Sequence, residues 1–174
     1  MTPGTLVLLH APGADAKSWG ELPETLRSSG VDVVAPDVRE TGHRYIARVS
    51  LLLAAADPAA PLVLVAHGAA GPLLPGVALG QRAAHRRVGG YVFVDADLPR
   101  PMHLRGEGSP DEELPMPPDW PEAPCGYLRT HADGDDPSRH DEAVREARLR
   151  GWPVTEHEPP ASVARSLSEL IAVL

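Results

Sequence analysis

The stretch LVLVAHGAAGPLLP, residues 62–75, decides the fold of this chain. It opens with an apolar run, Leu62 to Ala66, which predicts a strand buried on both faces. His67 and the glycine-rich turn GAAG (68–71) follow, and Pro72 stands near the first turn of a helix, where proline is tolerated. A buried strand, a sharp turn and a helix in this order are typical of folds in which helices cover a parallel sheet.

The same order of a strand followed by a helix recurs along the chain. Strands are predicted where an apolar run ends in a turn, at 5–10, 31–36, 61–67, 90–97, 125–130 and 152–157. Helices are predicted where apolar residues recur at helical spacing, at 16–30, 42–57, 70–87, 138–151 and 162–174. The sequence therefore predicts an α/β fold, a three-layer sandwich around a mainly parallel sheet of about six strands.

One segment interrupts this alternation. Residues 98–124 are rich in proline, which predicts an irregular loop or a vestigial lid rather than a second domain. We therefore interpret residues 1–174 as a single domain.

Composition excludes several classes of partner. The formal net charge is -8, which argues against nucleic acid and anionic membranes, since both need clustered positive charge. The single cysteine, Cys125, excludes an internal disulfide framework and fits a reducing compartment. The opening residues MTPGTLVLLH lack the pattern of a signal peptide, and no apolar run approaches the roughly 20 residues of a membrane span. We expect a cytoplasmic protein that binds neither nucleic acid nor a membrane.

These segments resemble the α/β-hydrolase family over nearly the whole chain. Residues 6–40 resemble its opening strand, oxyanion loop, first helix and second strand. Residues 62–78 resemble the nucleophile elbow, which normally reads G-x-S-x-G. Residues 91–99 resemble the following strand, and residues 120–159 the last two strands. The resemblance is to small, atypical, actinobacterial-type members, and it implies an α/β-hydrolase-like core whose lid is reduced to a loop.

The elbow departs from the family at the residue that carries the chemistry. It reads AHGAAG (66–71), so Gly68 occupies the position of the nucleophilic serine and cannot form an acyl-enzyme. Pro12 stands where the family often supplies a backbone donor, and proline has no N–H; an offset of one residue would place Ala11 or Gly13 there instead. Covalent serine hydrolysis is therefore not expected.

The resemblance also indicates where the other members of a hydrolase triad would lie. The family places its catalytic histidine after the last strand, and here the short loop EHEPPAS (156–162) leaves His157 as the candidate. The acid would follow the preceding strand, near Asp133, Asp135 or Asp136. The tract DGDD (133–136) lacks the ligand spacing of a calcium loop, so we interpret it as a solvated capping loop and predict neither a metal nor a cofactor.

The ends of parallel strands indicate where a ligand binds. On this basis and on the resemblance, His67 and His157 are the catalytic candidates. The substrate-binding candidates follow the strand ends or belong to the elbow: His10, Ala11, Pro12, Gly68, Ala69, Asp97 and His131. Structural roles stay open beside these, since His10 and His67 also fit hydrogen-bonded core histidines and Asp95 fits a brace for the elbow loop.

A complete scaffold with an emptied nucleophile position favours non-covalent chemistry. We hypothesise that the protein binds a small organic or peptidic molecule and performs non-hydrolytic proton transfer, as an isomerase, epimerase or cyclase. The resemblance makes a place in natural-product biosynthesis reasonable. The backbone N–H of Ala69 would stabilise an enolate-like oxygen, while His67 or His157 moves the proton.

Three alternatives stay open. The first is a non-catalytic pseudoenzyme, a binding or interaction module whose apolar cleft is covered by a partner or by a second copy in a homodimer. The second is residual hydrolysis by a histidine-activated water. The third is anion binding at HGAAG (67–71), as in nucleotide-binding folds, although the full G-x-G-x-x-G pattern is absent.

Overall fold

The computed structural model describes residues 3–100, 114–132, 138, 140–159 and 161–174. The described residues form strands, α-helices and two short 3₁₀ helices, Ala16–Trp19 and Gly71–Leu73. In chain order the strands and α-helices are β1 (Thr5–Leu9), α1 (Leu22–Ser28), β2 (Val33–Val34), α2 (Gly42–Ala56), β3 (Leu62–Gly68), α3 (Leu74–Ala83), β4 (Val88–Ala96), β5 (Cys125–Arg129), α4 (Asp141–Leu149), β6 (Val154–Glu156) and α5 (Val163–Ala172).

The six strands form one parallel sheet in the order β2-β1-β3-β4-β5-β6. This confirms the predicted parallel sheet of about six strands. Because the strands are parallel, their carboxyl ends share one border, which we call the carboxyl edge. The strand order reverses between β1 and β3, and ligands of open α/β sheets bind at such a reversal.

Side chains alternate between the two faces of the sheet, and each face has its own helical layer. Val7 and Leu9 of β1 face a layer made of α2, α3 and α4, whereas Leu6 and Leu8 face a layer made of α1 and α5. We call these the α2–α3–α4 side and the α1–α5 side. On β3, Val63 and Val65 face the α1–α5 side.

Two of the predicted helices begin with a 3₁₀ segment, so their α-helical parts start later than predicted. The segment 16–30 is divided at Gly20, whose φ of +55° ends the 3₁₀ helix before α1 begins at Leu22. The segment 70–87 opens with a 3₁₀ turn that contains Pro72, so α3 begins only at Leu74, and Pro75 lies in its first turn.

The proline-rich segment is described at its two ends, and residues 101–113 of the predicted lid lie outside the described residues. Its second end packs on the α2–α3–α4 side, where the Trp120 ring lies 5.5 Å from that of Tyr91 and 6.4 Å from that of Trp152. Tyr91 pairs with Cys125, the first residue of β5, so this contact lies away from the carboxyl edge. None of the described helices has both the length and the apolar character that crossing a membrane requires.

Candidate functional site

The turn between β3 and α3 keeps the backbone of an elbow. Gly68 has a φ of +56°, in the left-handed region that favours glycine. The N–H of Ala70 donates to the His67 carbonyl at 3.1 Å, and the N–H of Asp97 donates to the Gly68 carbonyl at 3.1 Å. A Cβ built on Gly71 would lie 1.8 Å from the carbonyl oxygen of Asp97. The elbow is therefore held tightly against the end of β4.

The nucleophile position is crowded by the loop that follows β1. A Cβ built on Gly68 would lie 3.3 Å from the Cβ of Ala11, which is a tight contact. The structure thus brings together two of the predicted substrate-binding residues, while Ala69 beside them is exposed. Pro12 follows Ala11 in the same loop and offers no N–H.

His10 is buried, and both of its ring nitrogens are used within the protein. Its Nε2 lies 3.0 Å from the backbone N–H of Val38, which can only donate, so Nε2 accepts. The proton therefore sits on Nδ1, which donates to the Ala11 carbonyl at 2.9 Å. The Tyr45 hydroxyl donates to the His10 carbonyl at 2.6 Å. These contacts match the structural alternative for His10; its predicted role in substrate binding stays a prediction.

A cavity of about 390 Å³ opens at the carboxyl edge on the α1–α5 side. We call it the His67 cavity. Its apolar wall comes from the region of α1, the start of α5 and the end of β4: Trp19, Leu22, Val94, Val163 and Ala164. His67 lines it because it continues the alternation of Val63 and Val65. The Trp19 and His67 rings lie 5.6 Å apart. A volume of this size suits a small organic molecule.

Asp95 reaches the same cavity through an irregularity of β4. His67 pairs with Val94 and Gly68 with Ala96, so Asp95 is an extra residue, a β-bulge with a φ of +42°. Without the bulge, alternation would direct Asp95 toward the α2–α3–α4 side, as it directs Phe93. With it, the buried Asp95 side chain lines the His67 cavity.

The Asp95 carboxylate is held by one residue at the end of β5. Oδ1 accepts the backbone N–H of Thr130 at 2.8 Å, and Oδ2 accepts the Thr130 hydroxyl in a short hydrogen bond. Both donors are neutral. Thr130 also lines the cavity, so the two residues join β4 and β5 at its floor.

The remaining predicted site residues lie elsewhere at the carboxyl edge. His157 is half-buried, and its Nδ1 lies 3.0 Å from the Ser166 hydroxyl on α5; it is not among the described residues that line the His67 cavity. His131 is exposed and its Nε2 lies 3.4 Å from Oε2 of Glu156. Asp97 is exposed and lines a second cavity, of about 400 Å³, together with Leu98. The predicted roles of these three residues stay predictions.

Sequence reasoning missed part of the cavity. Trp19 and Thr130 line the cavity but are not among the predicted site residues. The alternation of side chains along β3 indicates that His67, two positions after Val65, faces the layer that contains α1. Trp19 belongs to the same layer, so this signal could have found it. The bulge at Asp95 has no comparable signal in the sequence.

Among the described residues, neither the cysteine nor a cluster of metal-ligating side chains adds a reactive group to the site. Cys125 is buried at the amino end of β5, where burial raises the pKa of its thiol to about 12, so little thiolate forms at neutral pH. The tract 133–136 lies outside the described residues. Among the residues that the structure does describe, no group of three His, Cys, Asp or Glu side chains is arranged to hold a metal.

Comparison with known proteins gives structural neighbours only. Neither a protein-family model nor a curated protein sequence matches this chain. An extracellular α/β-hydrolase from a Paenibacillus species has 16% sequence identity and a TM-score of 0.64, with 98% of each chain covered. Tomato methylketone synthase I, complexed with 2-tridecanone, has 12% identity and a TM-score of 0.65, covering 99% of this chain and 97% of that one. Polyneuridine aldehyde esterase has 14% identity and a TM-score of 0.66, covering 98% and 99%.

These neighbours belong to the α/β-hydrolase superfamily. At such low identities the likeness bears on the fold alone. The chain therefore has the α/β-hydrolase-like fold that the sequence predicted.

Proposed function

We propose that this protein binds a small organic molecule in the His67 cavity and transfers a proton on it without a covalent intermediate. One observation carries the proposal. His67, the residue before the nucleophile position, lines a largely apolar cavity beside the buried Asp95, whereas Gly68 itself has no side chain.

The surroundings of the elbow argue against acyl transfer. That chemistry needs a nucleophile within hydrogen-bond reach of a base, and donors for the oxyanion. Gly68 supplies no nucleophile and Pro12 no N–H donor. The Nδ1 of His157, the candidate base, is hydrogen-bonded to the neutral Ser166 hydroxyl, whereas the base of a hydrolase triad has its Nδ1 bonded to a carboxylate. These features support chemistry in which the substrate is never attached to the protein.

An imidazole in such a cavity suits general acid–base catalysis. Histidine exchanges protons near neutral pH, and the apolar residues Trp19 and Val94 line the same cavity. The substrates that fit best are carbon acids with a C–H bond next to a carbonyl, since removing that proton begins an isomerisation, an epimerisation or a cyclisation. The likeness to a methylketone synthase as well as to an esterase supports a scaffold that is not confined to ester hydrolysis.

Hydrogen–deuterium exchange at carbon tests this function without knowledge of the natural substrate. The protein is incubated in D₂O with a panel of small ketones, aldehydes and esters, and loss of the C–H signal is followed by NMR. We expect catalysed exchange, reduced about a hundredfold to ten-thousandfold in His67→Gln, the range that a positioned acid–base group contributes. His85→Gln is the matched control, because His85 is exposed just beyond α3.

Two outcomes would contradict the proposal. Exchange that is equally fast in His67→Gln and in the unmodified protein would remove the assigned base. Accumulation of an acylated protein during ester turnover would replace the proposed chemistry with covalent hydrolysis.

Ligand binding without catalysis is the second candidate. It is favoured because three polar groups around the carboxyl edge already have partners within the protein: His10 with Val38, His157 with Ser166, and Asp95 with Thr130. A compound that raises the melting temperature of the unmodified protein but less so that of a cavity-filled variant, with no exchange in any member of the panel, would support this candidate over catalysis.

A further inference from the structure

We infer that the ligand of the His67 cavity carries a protonated amine, which lies beside Asp95, and an apolar body, which lies against Trp19. The inference rests on the proposed function for the position of the site, and it adds the charge and shape of the molecule bound there.

Asp95 is a buried acid that forms no ion pair with any residue the structure describes. Asp95 is 3% exposed. Its two carboxylate oxygens accept hydrogen bonds from the backbone N–H and the hydroxyl of Thr130, which are neutral donors. Within the described part of the chain, no Lys, Arg or His side chain forms an ion pair with it. Buried charges in proteins are usually paired, and no described residue supplies a cation for this carboxylate.

The carboxylate also has room for a further donor. Two carboxylate oxygens offer about four acceptor positions, of which Thr130 fills two. Because Asp95 lines the cavity, the remaining positions are available to a bound molecule. An ammonium group is a donor of the right charge, and it can form short charge-assisted hydrogen bonds there.

The other residues of the cavity wall also favour a cationic ligand. Among the described lining residues the acidic side chains are Asp95 and the exposed Glu21, and none is Lys or Arg. A cleft lined by one sign of charge concentrates ligands of the opposite sign and repels those of its own. A carboxylate-bearing ligand would place a second negative charge beside Asp95.

Trp19 provides the second part of the site. Trp19 is 9% exposed and lines the cavity, and its ring stands next to that of His67. An aromatic ring attracts both an apolar body and a cation over its face. With the amine at Asp95, the remainder of the molecule would extend along Trp19, which brings its carbon atoms toward His67.

Three compounds of one shape and different charge test the inference on the unmodified protein. Phenethylamine is a cation at neutral pH, phenethyl alcohol is neutral, and phenylacetate is an anion. Dissociation constants are measured by isothermal titration calorimetry at low salt. We expect phenethylamine to bind at least about tenfold more tightly than phenethyl alcohol, and phenylacetate to bind most weakly. Equal affinities, or tighter binding of the alcohol or the anion, would overturn the inference.

The variant Asp95→Asn tests whether Asp95 causes the preference for the amine over the alcohol. The amide keeps the shape and can still pair with the N–H and the hydroxyl of Thr130, but it carries no charge. We expect the amine-to-alcohol ratio to fall to within about twofold of unity. Asp32→Asn is the matched control, because it makes the same change in net charge at an exposed position before β2 and should leave the ratio unchanged.

A ratio that stays near tenfold in Asp95→Asn would assign the preference to another group and overturn the inference. If that variant does not fold, the ligand series on the unmodified protein decides by itself. Failure of the proposed function is distinguishable from failure of this inference. Amine-selective binding with no exchange at carbon removes the catalysis and leaves the ligand class, whereas catalysed exchange of neutral carbonyl compounds with no amine selectivity does the reverse.

Discussion

His67 and Gly68 are consecutive residues at the end of β3, and their surroundings are opposite in character. Gly68 belongs to a closely packed turn, where an added Cβ would lie 3.3 Å from the Cβ of Ala11. His67 lines a cavity of about 390 Å³. Because side chains alternate along a strand, a shift of one residue changes which space a functional group meets.

The comparison suggests how a hydrolase-like scaffold can support another function. At the turn that contains Gly68, close packing leaves little space for a side chain. On the α1–α5 side, the bulge at Asp95 and the position of His67 bring an acid and an imidazole to one cavity. The proposed site therefore lies beside the elbow, toward α1 and α5.

The largest effect is expected from filling the tightest contact of the elbow. Gly71→Ala would place a Cβ 1.8 Å from the Asp97 carbonyl oxygen and 3.3 Å from the Phe93 ring, so the turn and the end of β4 must separate. We expect the free energy of unfolding to fall by about 4 kcal/mol or more, measured by urea denaturation followed by tryptophan fluorescence.

Gly13→Ala is the matched control for this change. Gly13 also belongs to a loop at the carboxyl edge, but an added Cβ there meets no atom within 4 Å, and only its φ of +86° opposes the substitution. We expect a cost of about 1 kcal/mol. Equal costs for the two variants would contradict the close packing of the elbow.

Placing a serine at position 68 is expected to have a smaller effect on stability. Gly68→Ser places a side chain on a residue with a φ of +56° and against Ala11, which should cost about 1–2 kcal/mol of stability. We expect no acylation by an activated ester, since Pro12 lacks an N–H and the Nδ1 of His157 is bonded to the Ser166 hydroxyl instead of a carboxylate.

Acylation of Gly68→Ser is measured by mass spectrometry after incubation with p-nitrophenyl acetate. Gly68→Ala is the control that separates the loss of stability caused by the backbone conformation from the effect of the hydroxyl. An acetyl group found at position 68 would show that a base and oxyanion donors remain within reach of the elbow. The comparison between a closed elbow and an open cavity would then be wrong.

The layers of the fold could be predicted because they follow from local patterns. A run such as Leu62 to Ala66 has no polar face, so it must lie between two helical layers. Helix boundaries were less accurate, because Gly20 and Pro72 place short 3₁₀ segments before α1 and α3.

The cavity could not be predicted, because it depends on contacts between distant parts of the chain. The tautomer of His10 follows from the N–H of Val38, which is 28 residues away in sequence. The direction of Asp95 depends on a bulge that reverses the alternation of β4, and nothing in the local residue pattern indicates it. The crowding of Gly68 depends on Ala11, which comes from another loop.

The smallest effect on stability, and the sharpest test of which space is the site, is expected from filling the His67 cavity. Val163 is half-buried at the start of α5 and lines the cavity, while Val173, just beyond the same helix, is 69% exposed. Valine and tryptophan have similar helix propensities, so Val163→Trp and Val173→Trp should each change the free energy of unfolding by less than about 1 kcal/mol. Only Val163→Trp occupies the space beside Trp19, and we expect it to weaken phenethylamine binding at least about tenfold in calorimetric titration. Unchanged affinity in Val163→Trp would show that the ligand binds at another part of the carboxyl edge. The assignment of proton transfer to His67 would then be wrong as well.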